Sequence, residues 1–237
     1  MSRILVVTAI EHEARGLARD LGLVRVASTR WPCFEGERVI VVAAGIRAAF
    51  LDSRWPSARP ELVVSAGLCG GLAPVSSVSG ALALPRAVLE CGGASLAVDP
   101  DAHARAVSAA LAAGRAFSTE PLLTVDTVVE GPEAKARLRR DTGAATVDME
   151  SAVVMRRAAG LGAPGLVVRA VSDPAERSVP RELVLLVDGE GRARVSAVGA
   201  LLVRRPALIG DALALRRDSA RALKSVAAVI RQLSASA

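Results

Sequence analysis

The feature that most constrains this chain is a series of short apolar runs, rich in β-branched residues, that alternate with helix-forming segments. Arg3 to Thr8, Arg38 to Ala44, Glu61 to Ala66, Leu122 to Val129, Ala144 to Val147 and Gly165 to Val171 each read as a strand. Runs this apolar suit strands buried on both faces, as in a parallel sheet covered by helices. Between them, Glu11 to Leu21 suits a helix stopped by Gly22, and Asp99 to Gly114 a helix capped by Asp99 with Pro100 in its first position. Pro132 to Asp141 and Asp148 to Ala159 complete the helical segments, the latter followed by Gly160 and Gly162, while Pro174 shuts off the last strand. This alternation predicts a three-layer α/β fold, a central mixed, largely parallel sheet flanked by helices. No internal repeat or low-complexity linker divides the chain, so residues 1–237 are expected to form one domain.

Composition narrows the function classes. With 51% hydrophobic and 23% charged residues the chain can bury a sizeable core. Three cysteines and two histidines are too few and too scattered for a disulfide framework or an imidazole-based metal site, and a reducing, cytoplasmic setting is expected. The net charge of +6 rests on 28 arginines against only two lysines, Lys135 and Lys224, which looks like compositional drift. Aromatic residues make up 2%, with no Tyr, so the stacking platforms of a nucleic-acid binder are missing and none is expected as a partner. The uncharged stretch from Leu62 to Pro85 is rich in Gly and Ser, and reads as strand, glycine loop and strand rather than a membrane span. The N-terminus is apolar only briefly before Glu11 and reads as no signal peptide.

Residues 177–237 form a variable C-terminal segment of the same domain. Asp188-Gly-Glu-Gly191 reads as a turn between short strands, and Asp211 to Gln232 as a helix. Leu223, Val226, Ile230 and Leu233 share one face of that helix, with Arg217, Arg221, Lys224 and Arg231 on the other. Two readings are open: a surface helix docked on the core, or a basic amphipathic helix resting on an anionic membrane surface at the inner face of the membrane.

The familiar catalytic loops, G-x-S-x-G, Walker A, G-x-G-x-x-G and H-E-x-x-H, are not in the sequence. What stands out is a set of carboxylates at strand ends, where open α/β sheets place their ligands. Glu11 and Glu13 follow the first strand, Asp148 and Glu150 the Ala144–Val147 strand, and Asp173 the last one. Each also has a purely structural reading: electrostatic support of a helix start for Glu11 or Glu13, capping for Asp148, an Asx turn before proline for Asp173. Glu150 is the odd one, a carboxylate amid small and apolar neighbours.

Together, Thr8-Ala-Ile-Glu-His-Glu-Ala14, Ser65-Ala-Gly-Leu-Cys-Gly-Gly-Leu-Ala-Pro74, Val147-Asp-Met-Glu-Ser-Ala152 and Val168-Arg-Ala-Val-Ser-Asp173 resemble the nucleoside phosphorylase and nucleosidase superfamily, in family order. The resemblance, which takes in the methylthioadenosine/S-adenosylhomocysteine nucleosidases, implies a purine nucleosidase needing no cofactor or metal. It implies that Asp173 protonates the departing purine with support from Ser172. Glu150 would hold the ribose hydroxyls, Met149 would pack on the sugar, and Glu13 would activate the attacking water. Such roles suit a bond whose cleavage builds positive charge on the sugar and negative charge on the base. Gly67, Gly70 and Gly71 would let backbone come close to the sugar or the attacking group.

Departures from the family pattern shape the expectation further. Ser65 and Leu68 stand where phosphorylases grip phosphate, which favours hydrolysis over phosphorolysis and leaves Arg47 as the remaining candidate anion contact. Val128 and Val129 replace a stacking aromatic against the base, with Asp126 beside them as a structural carboxylate. The pocket loop of many relatives is nearly missing between Leu84 and Asp99, implying a wide, greasy mouth. The tail resembles the hopanoid-associated branch of the superfamily, which implies a lipid-linked substrate, adenosylhopane, converted to ribosylhopane with release of adenine. Methylthioadenosine, S-adenosylhomocysteine or futalosine are the alternative substrates, and phosphorolysis or a non-catalytic nucleoside or lipid binder the alternative activities. A homo-oligomer is expected from the same resemblance.

Overall fold

The structure, a computed structural model, describes residues 3–57, 59–73, 80–178, 188, 190 and 208–235. The chain opens with β1 (Ile4–Thr8), α1 (Glu11–Leu21), β2 (Val24–Arg25), β3 (Cys33–Glu35) and β4 (Val39–Ala43). Two short 3₁₀ turns lead to β5 (Leu62–Gly71), β6 (Leu82–Ala83), β7 (Ala87–Glu90), β8 (Ser95–Ala97) and α2 (Pro100–Ala112). Next come β9 (Phe117–Ser118), β10 (Leu122–Thr124), α3 (Pro132–Thr142), β11 (Thr146–Asp148), α4 (Ser151–Gly160), β12 (Gly165–Asp173) and α5 (Leu208–Ala235).

The sheet runs β2-β3-β4-β1-β5-β11-β10-β7-β8, with β12, β6 and β9 branching from β5. Parallel pairs join β1 to β4 and β5, β5 to β12, and β10 to β7 and β11, while β11 meets the end of β5 antiparallel. Alternate strand residues therefore point into two cores. Ile4, Val6, Val41 and Val64 pack with α1, α2 and α5 on one face. Leu5, Val7, Val42 and Val63 pack with α4 and the 3₁₀ segment on the other. This is the expected mixed, largely parallel three-layer arrangement.

The local end signals act as read. Gly22 closes α1 in the left-handed region at φ 71, and Asp99 Oδ1 accepts the Ala102 N–H at 2.8 Å ahead of Pro100. Three expectations change. The strand starting at Glu61 does not stop at Ala66 but continues to Gly71, because β12 and then β11 pair with its far end. The run Leu122–Val129 is strand only to Thr124, since its remaining residues turn aside to wall a cavity. The short segment between Leu84 and Asp99 is a β-hairpin at the sheet edge.

The C-terminal helix docks on the core. Leu223, Val226, Ile230 and Leu233 are all buried among residues of α1, α2 and β12, whereas Arg217, Arg221, Lys224 and Arg231 face outward. The contact with α1 is close: a Cβ on Gly16 would lie 2.8 Å from Leu223 Cδ1. The apolar face that could have entered a membrane is thus already covered by the protein's own core. Of the Asp188-Gly-Glu-Gly191 turn, Asp188 and Glu190 are described, with the Glu190 N–H donating to Asp188 Oδ1 at 3.0 Å, and the rest of 179–207 lies outside the described residues. Among the described residues no helix is long and apolar enough to cross a membrane.

Candidate active site

The carboxylates flagged at strand ends converge because the ends of β5, β11 and β12 converge. Val171 pairs with Cys69 and Asp173 with Gly70, so Ser172 is the extra residue of a β-bulge, an irregularity that re-aims side chains at a strand end. β11 ends at Asp148 against the glycines of β5, and Glu150 stands at the N-cap of α4 two residues on. A cavity of about 200 Å³ opens between these ends. Thr127, Asp148, Glu150, Ser172 and Asp173 supply polar lining, joined by Leu68, Cys69 and Gly70 of β5. Val125, Val128, Val129, Val147 and Met149 make the apolar wall. Leu68, Val128, Val129, Met149, Glu150, Ser172 and Asp173 are thereby brought together as the sequence suggested.

On one side of the cavity, Arg169 is a buried hub, 1% exposed. Its guanidinium meets Asp148 Oδ2 at 2.9 Å and Glu150 Oε2 at 3.4 Å, and donates to Ser65 Oγ at 3.1 Å and the Leu68 carbonyl at 3.0 Å. Asp148 takes the better share, accepting also from Thr124 Oγ1 at 2.8 Å and from the Ser151 N–H and hydroxyl. Among the described residues Glu150 adds only the Arg47 N–H, at 3.1 Å. Burial pushes the Glu150 carboxyl up to about 7, against the pull of Arg169, with Asp148 and Glu13 pushing the same way as burial.

On the other side, Asp173 accepts from Ser172 Oγ at 2.8 Å on Oδ1 and pairs with Lys135 Nζ at 2.8 Å on Oδ2. Burial raises its carboxyl above the ordinary range, and Lys135, Ser172 and Arg177 oppose it. The backbone must come very near: a Cβ on Gly70 would sit 3.0 Å from Asp173 Oδ2 and 3.1 Å from Val147 Cγ1. Cys69 is buried beside these groups, and burial pushes its thiol up, so it stays protonated.

Glu13 is placed differently from the expectation. It is 3% exposed and does not line the cavity. Its Oε2 accepts the Ala9 and Ile10 N–H groups at 3.0 and 3.1 Å, and its Oε1 accepts the Leu68 N–H at 2.8 Å. It thus ties the start of α1, where Ile10 offers no polar cap, to β5. The φ of +138 at Gly67, and a built Cβ only 2.6 Å from Glu13 Oε1, show what that glycine makes room for. A Cβ on Gly67 or Gly70 would thus meet one of the protein's own carboxylates, and Gly70 also lines the cavity.

Other residues also depart from expectation. Ser65 is fully buried and bonded to Arg169 and Ser151. The Arg47 side chain is exposed, and what the residue gives the site is its N–H. Asp126 is exposed and so holds no buried structural place. Sequence reasoning missed the two buried cations that contact the site's carboxylates. Arg169 was visible only as a motif letter, and Lys135 only as a lysine that had escaped the chain's drift to arginine. Among the described residues no group of three or more His, Cys, Asp or Glu is placed to hold a metal ion.

An α/β sheet whose strand ends gather acids around one small apolar cavity defines a class of small-molecule binding proteins. Within that class the chain belongs to the phosphorylase superfamily, whose family model matches residues 3–205. No curated protein matches the sequence. Similar solved structures include 5′-methylthioadenosine/S-adenosylhomocysteine nucleosidase from Neisseria meningitidis in complex with methylthio-immucillin-A, with TM-score 0.74, 18% identity and 100% of both chains covered. The corresponding nucleosidase of Helicobacter pylori matches with TM-score 0.72 and 15% identity over 100% of this chain and 99% of its own. Native futalosine hydrolase of the same organism matches with TM-score 0.71 and 14% identity over 100% and 98%. At these identities the likeness is one of fold.

Proposed function

We propose that this protein is a purine nucleosidase that hydrolyses the N-glycosidic bond of a 5′-substituted adenosine and releases adenine, with adenosylhopane as the substrate and ribosylhopane as the second product. The observation that carries the reading is the presence of Asp173 and Glu150 together in the lining of one cavity with an apolar valine wall. Asp173, which burial keeps protonated above the ordinary carboxyl range, gives its proton to the leaving base. Glu150 takes the ribose hydroxyls and, once ionised, stabilises the positive charge that develops on the sugar. Met149 packs on the sugar, and Val128 and Val129 on the base. Glu13 keeps one lone-pair direction on Oε1 beyond its three N–H bonds, and we assign it the attacking water.

Two features support the finer choices. Among the described residues the cavity lining carries three carboxylates and no cationic side chain, a poor receptacle for a phosphate dianion, which supports hydrolysis. Its volume of about 200 Å³ falls below the roughly 300–1,000 Å³ typical of sites that enclose a whole ligand. A bulky 5′ group would therefore extend outside, as a lipid chain requires. The relatives named above act on methylthioadenosine, S-adenosylhomocysteine or futalosine by their names, which makes these the competing substrates.

The test is chromatographic detection of free adenine from adenosylhopane in detergent and from methylthioadenosine in buffer, each with and without phosphate. Adenine from the lipid without phosphate supports the proposal. Release from the soluble nucleoside alone moves the substrate to the methylthioadenosine class, strict phosphate dependence makes the reaction phosphorolysis, and no release from either by folded protein leaves a binding role.

A further inference from the structure

Lys135 lies in the second turn of α3, is wholly buried, and sends its ammonium to the end of β12. There it meets four oxygens: Asp173 Oδ2 at 2.8 Å and the carbonyls of Pro174, Arg177 and Asp173 at 2.9, 3.0 and 3.4 Å. A buried ammonium is costly unless its donors are all met, and this one is met by a cage built almost entirely from the chain just after the bulge. In a protein with 28 arginines and two lysines, the buried lysine places a compact point charge within reach of all four oxygens. α3 is otherwise a charged, exposed or half-buried segment, and Lys135 is its one buried residue.

We infer that Lys135 is a positioning residue of the proton-transfer site, aiming the Asp173 carboxyl into the cavity and receiving the negative charge that this carboxyl acquires on giving up its proton. The inference rests on the reading of Asp173 as proton donor. When the N-glycosidic bond breaks, its electron pair goes to the base, the base takes the Asp173 proton, and a carboxylate is left behind. That carboxylate finds an ammonium and a hydroxyl already at 2.8 Å on its two oxygens, so no group must move to stabilise it. The charged and titratable groups that face Asp173 are Lys135 from α3, Arg177 from the segment after β12, and Cys69 from β5. Because α3 follows directly on the valine wall, the same lysine also ties that wall to the acid.

The experiment is the pH profile of kcat and KM for Lys135→Met and Lys135→Arg, using the nucleoside that the wild type cleaves. Removing the cation makes Asp173 a weaker acid. The plateau kcat of Lys135→Met is then expected to fall on the order of 10- to 100-fold, with KM within about twofold. Its alkaline limb should move to higher pH, because the donor stays protonated longer. Lys135→Arg keeps the charge and should bring the limb back toward its wild-type place. Folded Lys135→Met with wild-type kcat and an unmoved limb would overturn the inference. If that variant does not fold, NMR of the wild type decides, with the Asp173 signal assigned through Asp173→Asn. The Lys135 ¹⁵Nζ signal must follow the titration of the Asp173 ¹³Cγ signal, and independent titrations overturn it. The same spectra judge the pairing even if the wild type cleaves no nucleoside, an outcome that defeats the proposed function separately.

Discussion

The two sides of the cavity hold the same ingredients, a buried cation and a carboxylate, in different proportions. Arg169 serves two carboxylates and wins its best geometry with Asp148, leaving Glu150 at 3.4 Å. Lys135 serves one carboxylate and fills its other donor directions with carbonyls. A guanidinium shared by two acids leaves one negative charge uncompensated in a buried place, so Glu150 holds its proton up to about 7. The ammonium, solvated by carbonyls, stays satisfied whether Asp173 is ionised or not. The Arg169 side thus holds an acid that ionises only toward neutral pH, and the Lys135 side an acid whose ionised form is already met by a cation.

That contrast can be broken in order of effect. Arg169→Met leaves Asp148 and Glu150 buried without a cation and should cost about 3–5 kcal/mol of stability, measured by denaturant unfolding. Asp173→Asn acts on the other side, where three carbonyls still hold Lys135. It should fold with a thermal midpoint within a few degrees of wild type, yet release adenine at least ~1,000-fold more slowly. An unchanged rate would sink the mechanism.

Glu150 sharpens the comparison through pH. Its ordinary value is 4.5 and its folded value about 7, so between these the folded state binds the extra proton. The stability this contributes is full below about pH 4.5 and is lost as pH rises through 7. Differential scanning calorimetry from about pH 5 to about pH 8 should show the midpoint falling more in wild type than in Glu150→Gln. For activity the sign reverses: kcat/KM rises through that range, because the sugar needs the ionised form. The smallest effect is expected at Arg47, which holds Glu150 through its backbone at φ 57 and ψ 24, a left-handed conformation. Arg47→Gly removes that strain and should stabilise by about 0.5–1 kcal/mol, read as a shift in the urea midpoint.

Legibility in the sequence followed the range of the interaction. Asp99, Pro100 and Gly22 could be placed because caps and stops act within one turn of helix. Asp173, Glu150 and Met149 could be placed because strand ends carry sites in this architecture, and because the four motif segments lie in family order. Glu13 was legible as a carboxylate at a helix start, but its bond to the Leu68 N–H crosses 55 positions, which no local pattern encodes. The basic face of α5 was correct as a pattern, and its partner was not readable, since an amphipathic stripe fits a core and a membrane equally well.

By itself, then, the sequence determined the strands, the helices between them and the set of acids at their ends, all consequences of periodicity and of dihedral preferences over a few residues. The tertiary structure alone decided which cation each acid meets. Lys135 reaches Asp173 across 38 positions, and Arg169 reaches Leu68 across 101. Such pairs exist only once the register of β5, β11 and β12 has brought their ends together and the bulge at Ser172 has turned the last carboxylate toward the cavity. Burial then shifts Glu150 and Asp173, because taking a charge out of water is a property of the packed state and of no single residue.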